Sequence, residues 1–176
     1  DGSVRMMDFF DEQRMSRLYE KFILEYYRRE HPRLRASASF VEWALDDGMS
    51  EGLPAMRSDI TVSAGGRVLI IDAKYYAATM QTNFDKKTVH SGNLYQIFAY
   101  VKNKQIAFER AGESVEVSGM LLYAATDEEV QPDVTYRMSG NQIGVRTLDL
   151  DRPFEKIRAQ LDGIADMLTS PSASAS

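Results

Sequence analysis

Residues 57–76 of the chain read RSDITVSAGGRVLIIDAKYY, and this stretch decides the fold. Two runs rich in β-branched residues, 57–63 and 68–76, lie on either side of Gly65-Gly66. Glycine pairs of this kind form two-residue turns, so the stretch predicts two antiparallel strands joined as a hairpin. The second run is apolar on both faces at Leu69-Ile70-Ile71, which is typical of a strand at the centre of a sheet.

The glycine turn also fixes which residues of the two strands face each other. Ala64 and Arg67 flank the glycines, so pairing outward from them sets Asp59 directly opposite Asp72. Opposed residues of antiparallel strands have Cβ atoms about 4.5–5.5 Å apart, and like charges so placed destabilise a sheet. A divalent cation bound by both carboxylates offsets the repulsion. We therefore expect an oxygen-ligand metal site formed by Asp59 and Asp72.

Lys74 extends this polar site. Side chains alternate along a strand, so Lys74 projects from the same face as Asp72, while Leu69, Ile71 and Ala73 point the other way and pack against a helix. An isolated Asp-x-Lys at the end of a strand is more often a surface ion pair. The facing Asp59 favours a functional site instead, because burying unpaired charge is costly.

Outward from the hairpin, the pattern predicts one mixed sheet covered by helices, which is an α/β fold. Strands are predicted at 40–45 and 115–124, and a second hairpin at 134–138 and 143–148. Residues 77–92 show no clean period and predict a mobile connection.

Three helices are predicted from the spacing of apolar residues. The first covers 8–30, with a stripe of Met15, Leu18, Tyr19, Phe22, Ile23 and Tyr26. The second covers 93–104. The last follows Pro153, with a stripe of Phe154, Ile157, Leu161, Ile164 and Leu168.

Composition limits the function. The chain has 176 residues, the size of one domain, and we assign 1–169 to that domain and 170–176 to a disordered tail. The chain has no cysteine, which excludes disulfides, thiolate zinc sites and iron–sulfur clusters, and only 2 histidines.

The net charge of −5 argues against a protein that coats nucleic acid by bulk positive charge. No apolar run of about 18 residues and no secretory signal is present, so we expect a cytoplasmic protein without a membrane span. Because the chain begins with Asp1, an upstream domain stays a hypothesis.

The hairpin motif resembles the signature of the PD-(D/E)xK nuclease superfamily, an acidic residue followed after a hairpin by Asp/Glu-x-Lys. Here the motif reads Ser58-Asp59 and Asp72-Ala73-Lys74, with Ser58 in place of the usual proline. Over roughly residues 8–125 the chain resembles, more specifically, the nuclease domain of the McrC family. The segments that carry this resemblance are 12–22, 56–60, 71–76 and 93–100. McrC is the cleavage subunit of the McrBC modification-dependent restriction system. This resemblance implies a restriction-endonuclease-like mixed β-sheet core flanked by helices.

The resemblance also implies a metal-dependent DNA endonuclease. The cofactor would be Mg²⁺, with Mn²⁺ as a substitute. Its ligands would be Asp59 and Asp72, with the backbone carbonyl of Ala73, and Glu20 of the first helix directly or through water.

Further catalytic roles follow from the same resemblance. Lys74 would orient or deprotonate the attacking water. Gln96 and Tyr100 match a Gln-x-x-x-Tyr motif, and their i, i+4 spacing sets them on one face of the second predicted helix. They would position the scissile strand or Lys74.

The implied partners are DNA, carrying a modified base, and an AAA+ GTPase of the McrB type. The chain has no Gly-x-x-x-x-Gly-Lys-Ser/Thr phosphate loop of its own. In McrC-family chains an N-terminal region, not represented here, engages that partner. Cutting both strands needs two active sites, so we also expect a homodimer or higher assembly. In the 77–92 connection, Lys86, Lys87 and His90 are candidate contacts to the DNA backbone, with a solvated loop as the alternative.

Two alternatives to this function stay open. One is a stand-alone or RecB-like nuclease of the same superfamily, although the absence of cysteine excludes a Cas4-type cluster. The other is a nuclease-fold module that binds DNA or scaffolds a complex without cleaving.

Overall fold

The structure is a computed structural model, and it describes residues 2–76, 80–83 and 86–171. Its helices are α1 (Gly2–Glu30), α2 (Ser91–Arg110) and α3 (Phe154–Thr169), with a 3₁₀ turn at Pro32–Leu34. Its strands are β1 (Phe40–Val41), β2 (Met56–Arg57), β3 (Ile60–Ala64), β4 (Arg67–Lys74), β5 (Met80–Asn83), β6 (Lys86–Val89), β7 (Glu116–Ala124), β8 (Val134–Met138) and β9 (Asn141–Leu148).

The central sheet has five strands in the order β3-β4-β7-β9-β8. The β3–β4 and β8–β9 pairs are antiparallel, whereas β7 runs parallel to both of its neighbours. Helices α1 and α3 cover one face and α2 covers the other. The predicted α/β class is confirmed, with the mixed sheet and flanking helices of a restriction-endonuclease-like fold. None of the helices within the described residues is long and apolar enough to span a bilayer.

The register predicted for the first hairpin is confirmed. Ala64 pairs with Arg67 and, at the far end, Ile60 pairs with Ile71. Gly65 has a φ of +56°, a conformation that glycine adopts without steric cost. Continuing this pairing by one residue brings Asp59 opposite Asp72.

The single strand predicted over 57–63 is wrong, because the structure interrupts it at Ser58 and Asp59. The Ser58 hydroxyl is buried and lies 2.7 Å from Thr61 Oγ1. The backbone N–H of Ala73 donates to Asp59 Oδ2 at 2.9 Å. A side-chain carboxylate thus takes the place of the backbone acceptor that a continuous strand would supply.

The first helix is longer than predicted and covers more than the sheet. It has 29 residues, about 43 Å at 1.5 Å per residue, whereas the 8 residues of β4 span about 26 Å. Met15 and Leu18 of the predicted stripe are exposed, at 40% and 53%, together with Met6, Phe9 and Phe10; Leu18 is adjacent to the buried Tyr19 but on the outward side of the helix. Among the α1 residues whose side chains the structure describes, the buried ones are Tyr19, Ile23, Tyr26 and Tyr27.

Several other boundaries differ from prediction. The strand expected at 40–45 is limited to β1, α2 extends to Arg110, and Phe154 at the start of α3 is 57% exposed. The connection predicted without regular structure contains β5 and β6, which pair as an antiparallel two-stranded sheet. Thr82, Thr88 and Val89 in these strands are β-branched, a composition that favours extended backbone over a coil.

Helix α2 approaches the sheet closely at a glycine. A Cβ built on Gly119 of β7 would lie 2.7 Å from Val101 Cγ2 and 2.8 Å from Ile97 Cγ1. Both contacts are shorter than real Cβ atoms make, so any larger residue at this position forces Val101 or Ile97 to shift. The close approach of α2 to β7 sets the distance between α2 and the end of β4. It therefore also sets the distance from β4 to the polar residues on α2.

Candidate active site

The site is built around Asp72, close to the carboxyl end of β4. Asp72 is 4% exposed, and one of its oxygens, Oδ1, accepts a hydrogen bond of 3.0 Å from Lys74 Nζ. The two side chains project from one face of the strand, as the alternation predicts. They form a largely buried ion pair, with 5% and 15% of their side-chain areas exposed.

Asp59 faces this pair from the adjoining strand. Its Oδ2 accepts from the N–H of Ala73, which anchors the partly buried carboxylate beside Asp72. Burial raises the pKa of Asp59 well above its ordinary value of 3.8, and the contact with Asp72 and the charges of Asp72 and Glu20 raise it further. The sequence prediction that two carboxylates meet here is confirmed.

The second oxygen of Asp72 identifies what the site requires. With Asp59 ionised, Oδ2 is buried and has no hydrogen-bond donor among the described residues. A buried carboxylate oxygen without a partner carries a desolvation cost of about 1–3 kcal/mol or more. A hard cation shared with Asp59 satisfies this oxygen and neutralises both acids, so the donor set fits a divalent metal that prefers oxygen ligands.

Lys74 is held in place from a second side. Its Nζ donates to Gln96 Oε1 at 3.1 Å, and Gln96 Nε2 donates to Tyr100 Oη at 3.0 Å. Burial lowers the pKa of Lys74, but the charge and hydrogen bond of Asp72, together with the charges of Tyr76 and Asp59, outweigh it, so the pKa is raised overall. The structure thus links Asp72, Lys74, Gln96 and Tyr100 in one chain of hydrogen bonds across β4 and α2.

Glu20 lies near this centre, on α1. Its pKa is raised overall, because burial and the charge of Asp72 outweigh the charges of Lys74 and Arg17, which lower it. Within the described residues, no group of three or more Asp, Glu, His or Cys side chains is close enough to hold one metal. The roles predicted for Glu20 and for the Ala73 carbonyl as metal ligands stay predictions.

Comparison with known proteins identifies the family of the chain. Residues 13–124 match the family model described as "McrBC 5-methylcytosine restriction system component". The chain belongs to the McrBC family. The matched segment contains Glu20, Asp59, Asp72, Lys74 and the Gln96–Tyr100 motif.

Two individual relatives extend the match. The type IV methyl-directed restriction enzyme EcoKMcrBC of Escherichia coli (strain K12) is 32% identical over 169 residues, 94% of this chain and 47% of the relative. The chain thus spans about half the length of this curated relative. The second is a refined half-complex from the tetradecameric assembly of Thermococcus gammatolerans McrB AAA+ hexamers with bound McrC. It matches 85% of this chain and 33% of that chain, with a TM-score of 0.54 and 17% identity, which shows a shared fold.

Beside the site of this McrBC-family chain lies a second polar network that the sequence did not reveal. Asn93 Nδ2 donates to Tyr123 Oη at 2.9 Å, and Tyr76 Oη donates to Asn93 Oδ1 at 3.3 Å. Tyr123 is fully buried and pairs with Lys74 in the β4–β7 register. The i, i+3 spacing of Asn93 and Gln96 was the one available signal.

The predicted DNA contacts stay predictions. Strand β6 includes Lys86 and Lys87, but their side chains lie outside the described residues. His90, just before α2, is partly buried, and its ring centroid lies 5.7 Å from that of Tyr76.

Two surface depressions have different relations to the site. A groove of about 460 Å³ lies between α1 and the residues after β4, and is lined by Phe9, Glu12, Gln13, Ser16, Arg17, Tyr75 and Tyr76. A cavity of about 500 Å³ adjoins the start of β4 and the end of α3, and its lining includes Arg67, Arg137 and Arg146. Only the first groove contains residues that directly follow Lys74.

Proposed function

We propose that this chain is the DNA-cleaving part of an McrBC-type modification-dependent restriction system. It acts as a Mg²⁺-dependent endonuclease, with Mn²⁺ as a substitute, and hydrolyses phosphodiester bonds. The observation that carries the proposal is the unpartnered, buried Oδ2 of Asp72, which lies beside Asp59 and the Asp72–Lys74 ion pair.

In this proposal Asp59 and Asp72 hold the metal, and the carbonyl of Ala73 and the carboxylate of Glu20 complete its surroundings. When bound, Mg²⁺ supplies Lewis-acid stabilisation of charge on the phosphate and activation of water. Two carboxylates are enough, because Mg²⁺ keeps several waters and takes few protein ligands.

Lys74 orients the reactants. An ammonium group has three N–H donors, of which one goes to Asp72 and one to Gln96. The third donor is available to the attacking water or to a phosphate oxygen. Its positive charge favours the additional negative charge that develops on the phosphate during hydrolysis.

Gln96 and Tyr100 act as positioning residues. Gln96 Oε1 accepts from Lys74, whose ammonium only donates, so the amide NH₂ faces Tyr100 and donates to its Oη. Fixing Lys74 in this way reduces the number of rotamers it samples, which favours reaction through orientation.

The proposal includes an AAA+ GTPase partner and a higher assembly. The solved relative consists of McrB AAA+ hexamers with bound McrC, and this chain has no phosphate loop of its own. We propose that nucleotide hydrolysis and recognition of modified DNA reside in the partner, while this chain contributes cleavage.

A plasmid-nicking assay tests the proposed function. Purified chain is incubated with methylated supercoiled plasmid and Mg²⁺ or EDTA, with and without an McrB-type GTPase and GTP. Mg²⁺-dependent cleavage that Asp72→Asn and Lys74→Ala abolish, and that the exposed control Lys156→Ala retains, supports the proposal. Cleavage without the GTPase would instead favour a stand-alone nuclease. Tight DNA binding without cleavage under every condition would favour a non-cleaving module.

A further inference from the structure

The groove between α1 and the residues after β4 has the chemical features of a nucleotide subsite. Tyr75 and Tyr76 directly follow Lys74, so this wall of the groove continues from the candidate active site. Ser16 Oγ donates to the carbonyl of Tyr75 at 3.3 Å, which attaches α1 to this wall. At about 460 Å³, the groove is within the range of small-ligand sites.

The walls of the groove are aromatic, and this supports stacking with a base. Phe9 is 56% exposed on α1, and Tyr75 and Tyr76 lie across from it, both only partly buried. The ring centroid of Tyr75 lies 6.1 Å from that of the buried Tyr19, so its orientation is fixed from behind. Exposed aromatic faces bind bases of unpaired strands with little dependence on sequence.

A cation beside the aromatic walls supports binding of the strand's phosphate. Arg17 is exposed, lines the groove and makes no ion pair with any described residue. It lies one turn before Glu20 on α1, which sets it at the end of the groove nearest the candidate active site. Glu12 and Gln13 also line the groove and offer acceptors for amino groups on the edge of a base.

We propose that this groove binds one unstacked nucleotide of the DNA strand next to the scissile phosphate, with its base on Phe9 and Tyr75 and its phosphate on Arg17. This inference rests on the proposed function, because it assigns the path of the DNA strand that the candidate active site would cut.

The chain offers matched controls for each contact. Phe10 is adjacent to Phe9 and similarly exposed, at 59%, but does not line the groove. Arg14 is an exposed arginine one turn before Arg17 and also lies outside the groove lining. Because all four side chains are exposed, their alanine variants are expected to fold as the wild type does.

The test measures binding of a fluorescein-labelled 12-nucleotide single-stranded DNA by anisotropy in EDTA, at several salt concentrations. We expect Phe9→Ala and Arg17→Ala each to weaken binding about tenfold, whereas Phe10→Ala and Arg14→Ala bind as the wild type. Arg17→Ala should also reduce the salt slope by about 0.7, the value for one single-strand phosphate, and Phe9→Ala should leave the slope unchanged.

Equal binding by all four variants, equal weakening by all four, or absence of wild-type binding would overturn the subsite. Plasmid cleavage, measured separately with Mg²⁺, distinguishes this failure from failure of the proposed function. The expected binding pattern in a chain that never cleaves would support the subsite and refute only the nuclease proposal.

Discussion

Asp59 Oδ2 accepts a hydrogen bond of 2.9 Å from the backbone N–H of Ala73. The residue that faces Asp72 across the candidate metal site therefore also completes the hydrogen bonding of the hairpin. Its two roles are separable, because an amide oxygen can accept the same bond without carrying charge.

Substitution at Asp59 separates stability from activity. Asp59→Asn keeps an acceptor for Ala73 and removes the repulsion from Asp72, so its free energy of unfolding should equal or exceed that of the wild type. Asp59→Ala leaves the Ala73 N–H without its partner and should be less stable than Asp59→Asn by about 1 kcal/mol. Urea unfolding without metal measures both, and both variants should lack Mg²⁺-dependent cleavage. An alanine variant as stable as the asparagine variant would exclude a structural role for this hydrogen bond.

The chain of hydrogen bonds from Lys74 predicts graded effects on cleavage. Gln96→Ala removes the acceptor that holds Lys74 Nζ and should lower kcat about 10–100-fold with little change in KM. Tyr100→Phe removes only the oxygen that accepts from Gln96, and its effect on kcat should be smaller, within about tenfold. Single-turnover cleavage measures the rate for the Gln96→Ala and Tyr100→Phe variants and compares each with the wild type. The reverse order of effects would contradict the proposed role of Gln96 as the direct contact of Lys74.

The close approach of α2 to the sheet predicts a different response at two glycines. Gly119→Ala forces its Cβ against Val101 and Ile97 and should lower the free energy of unfolding by about 1–3 kcal/mol. It should also lower cleavage, since α2 carries Gln96. Gly144 of β9 is the control, because its nearest side-chain neighbour, Met120 Cε, would lie at an ordinary 3.7 Å. Chemical denaturation that shows equal losses at both positions would contradict this account of the packing.

Acid sensitivity should arise where α1 meets α3. Asp162 accepts hydrogen bonds of 2.6 Å from Tyr26 Oη and 2.7 Å from His31 Nε2, with Arg158 Nε 3.8 Å away and Glu30 also nearby. Burial raises the pKa of Asp162, but the hydrogen bonds and the charges of His31 and Arg158 outweigh it, so the pKa is lowered from 3.8.

A carboxylate whose pKa is lower in the folded than in the unfolded state stabilises the fold at any pH above its unfolded-state pKa. That contribution is lost as the pH falls through its folded-state pKa. Because Asp162 is partly solvent-exposed, Asp162→Asn should cost about 0.5–1 kcal/mol at pH 7. The difference from the wild type should decrease as the pH falls below 3.8. The exposed Asp166→Asn on the same helix is the control. Urea unfolding at several pH values measures both, and a cost at Asp162 that does not change with pH would contradict the prediction.

The sequence predicted the centre of the site because local rules determine it. A two-glycine turn fixes the register that opposes Asp59 and Asp72, strand alternation sets Lys74 beside Asp72, and helical spacing pairs Gln96 with Tyr100. Each of these relationships is determined by residues close to it in the sequence.

The features that the sequence did not predict depend on how distant segments pack. The groove exists because α1 extends beyond the sheet and contacts Tyr75 through Ser16, 59 residues away. The Asn93–Tyr123 hydrogen bond joins α2 to β7 across 30 residues. The interruption of the first strand depends on a side chain replacing a backbone acceptor, which β-propensity does not report.

Direct metal binding tests the central claim that Asp59 and Asp72 form a cation site. Electron paramagnetic resonance of Mn²⁺ titrated into the purified chain counts bound ions without requiring DNA or a partner. We expect one bound Mn²⁺ per chain, displaced by Mg²⁺, and at least about tenfold weaker binding in Asp59→Asn and in Asp72→Asn. Binding of Mn²⁺ to either variant with wild-type stoichiometry and affinity would contradict the proposal that these two carboxylates hold the ion.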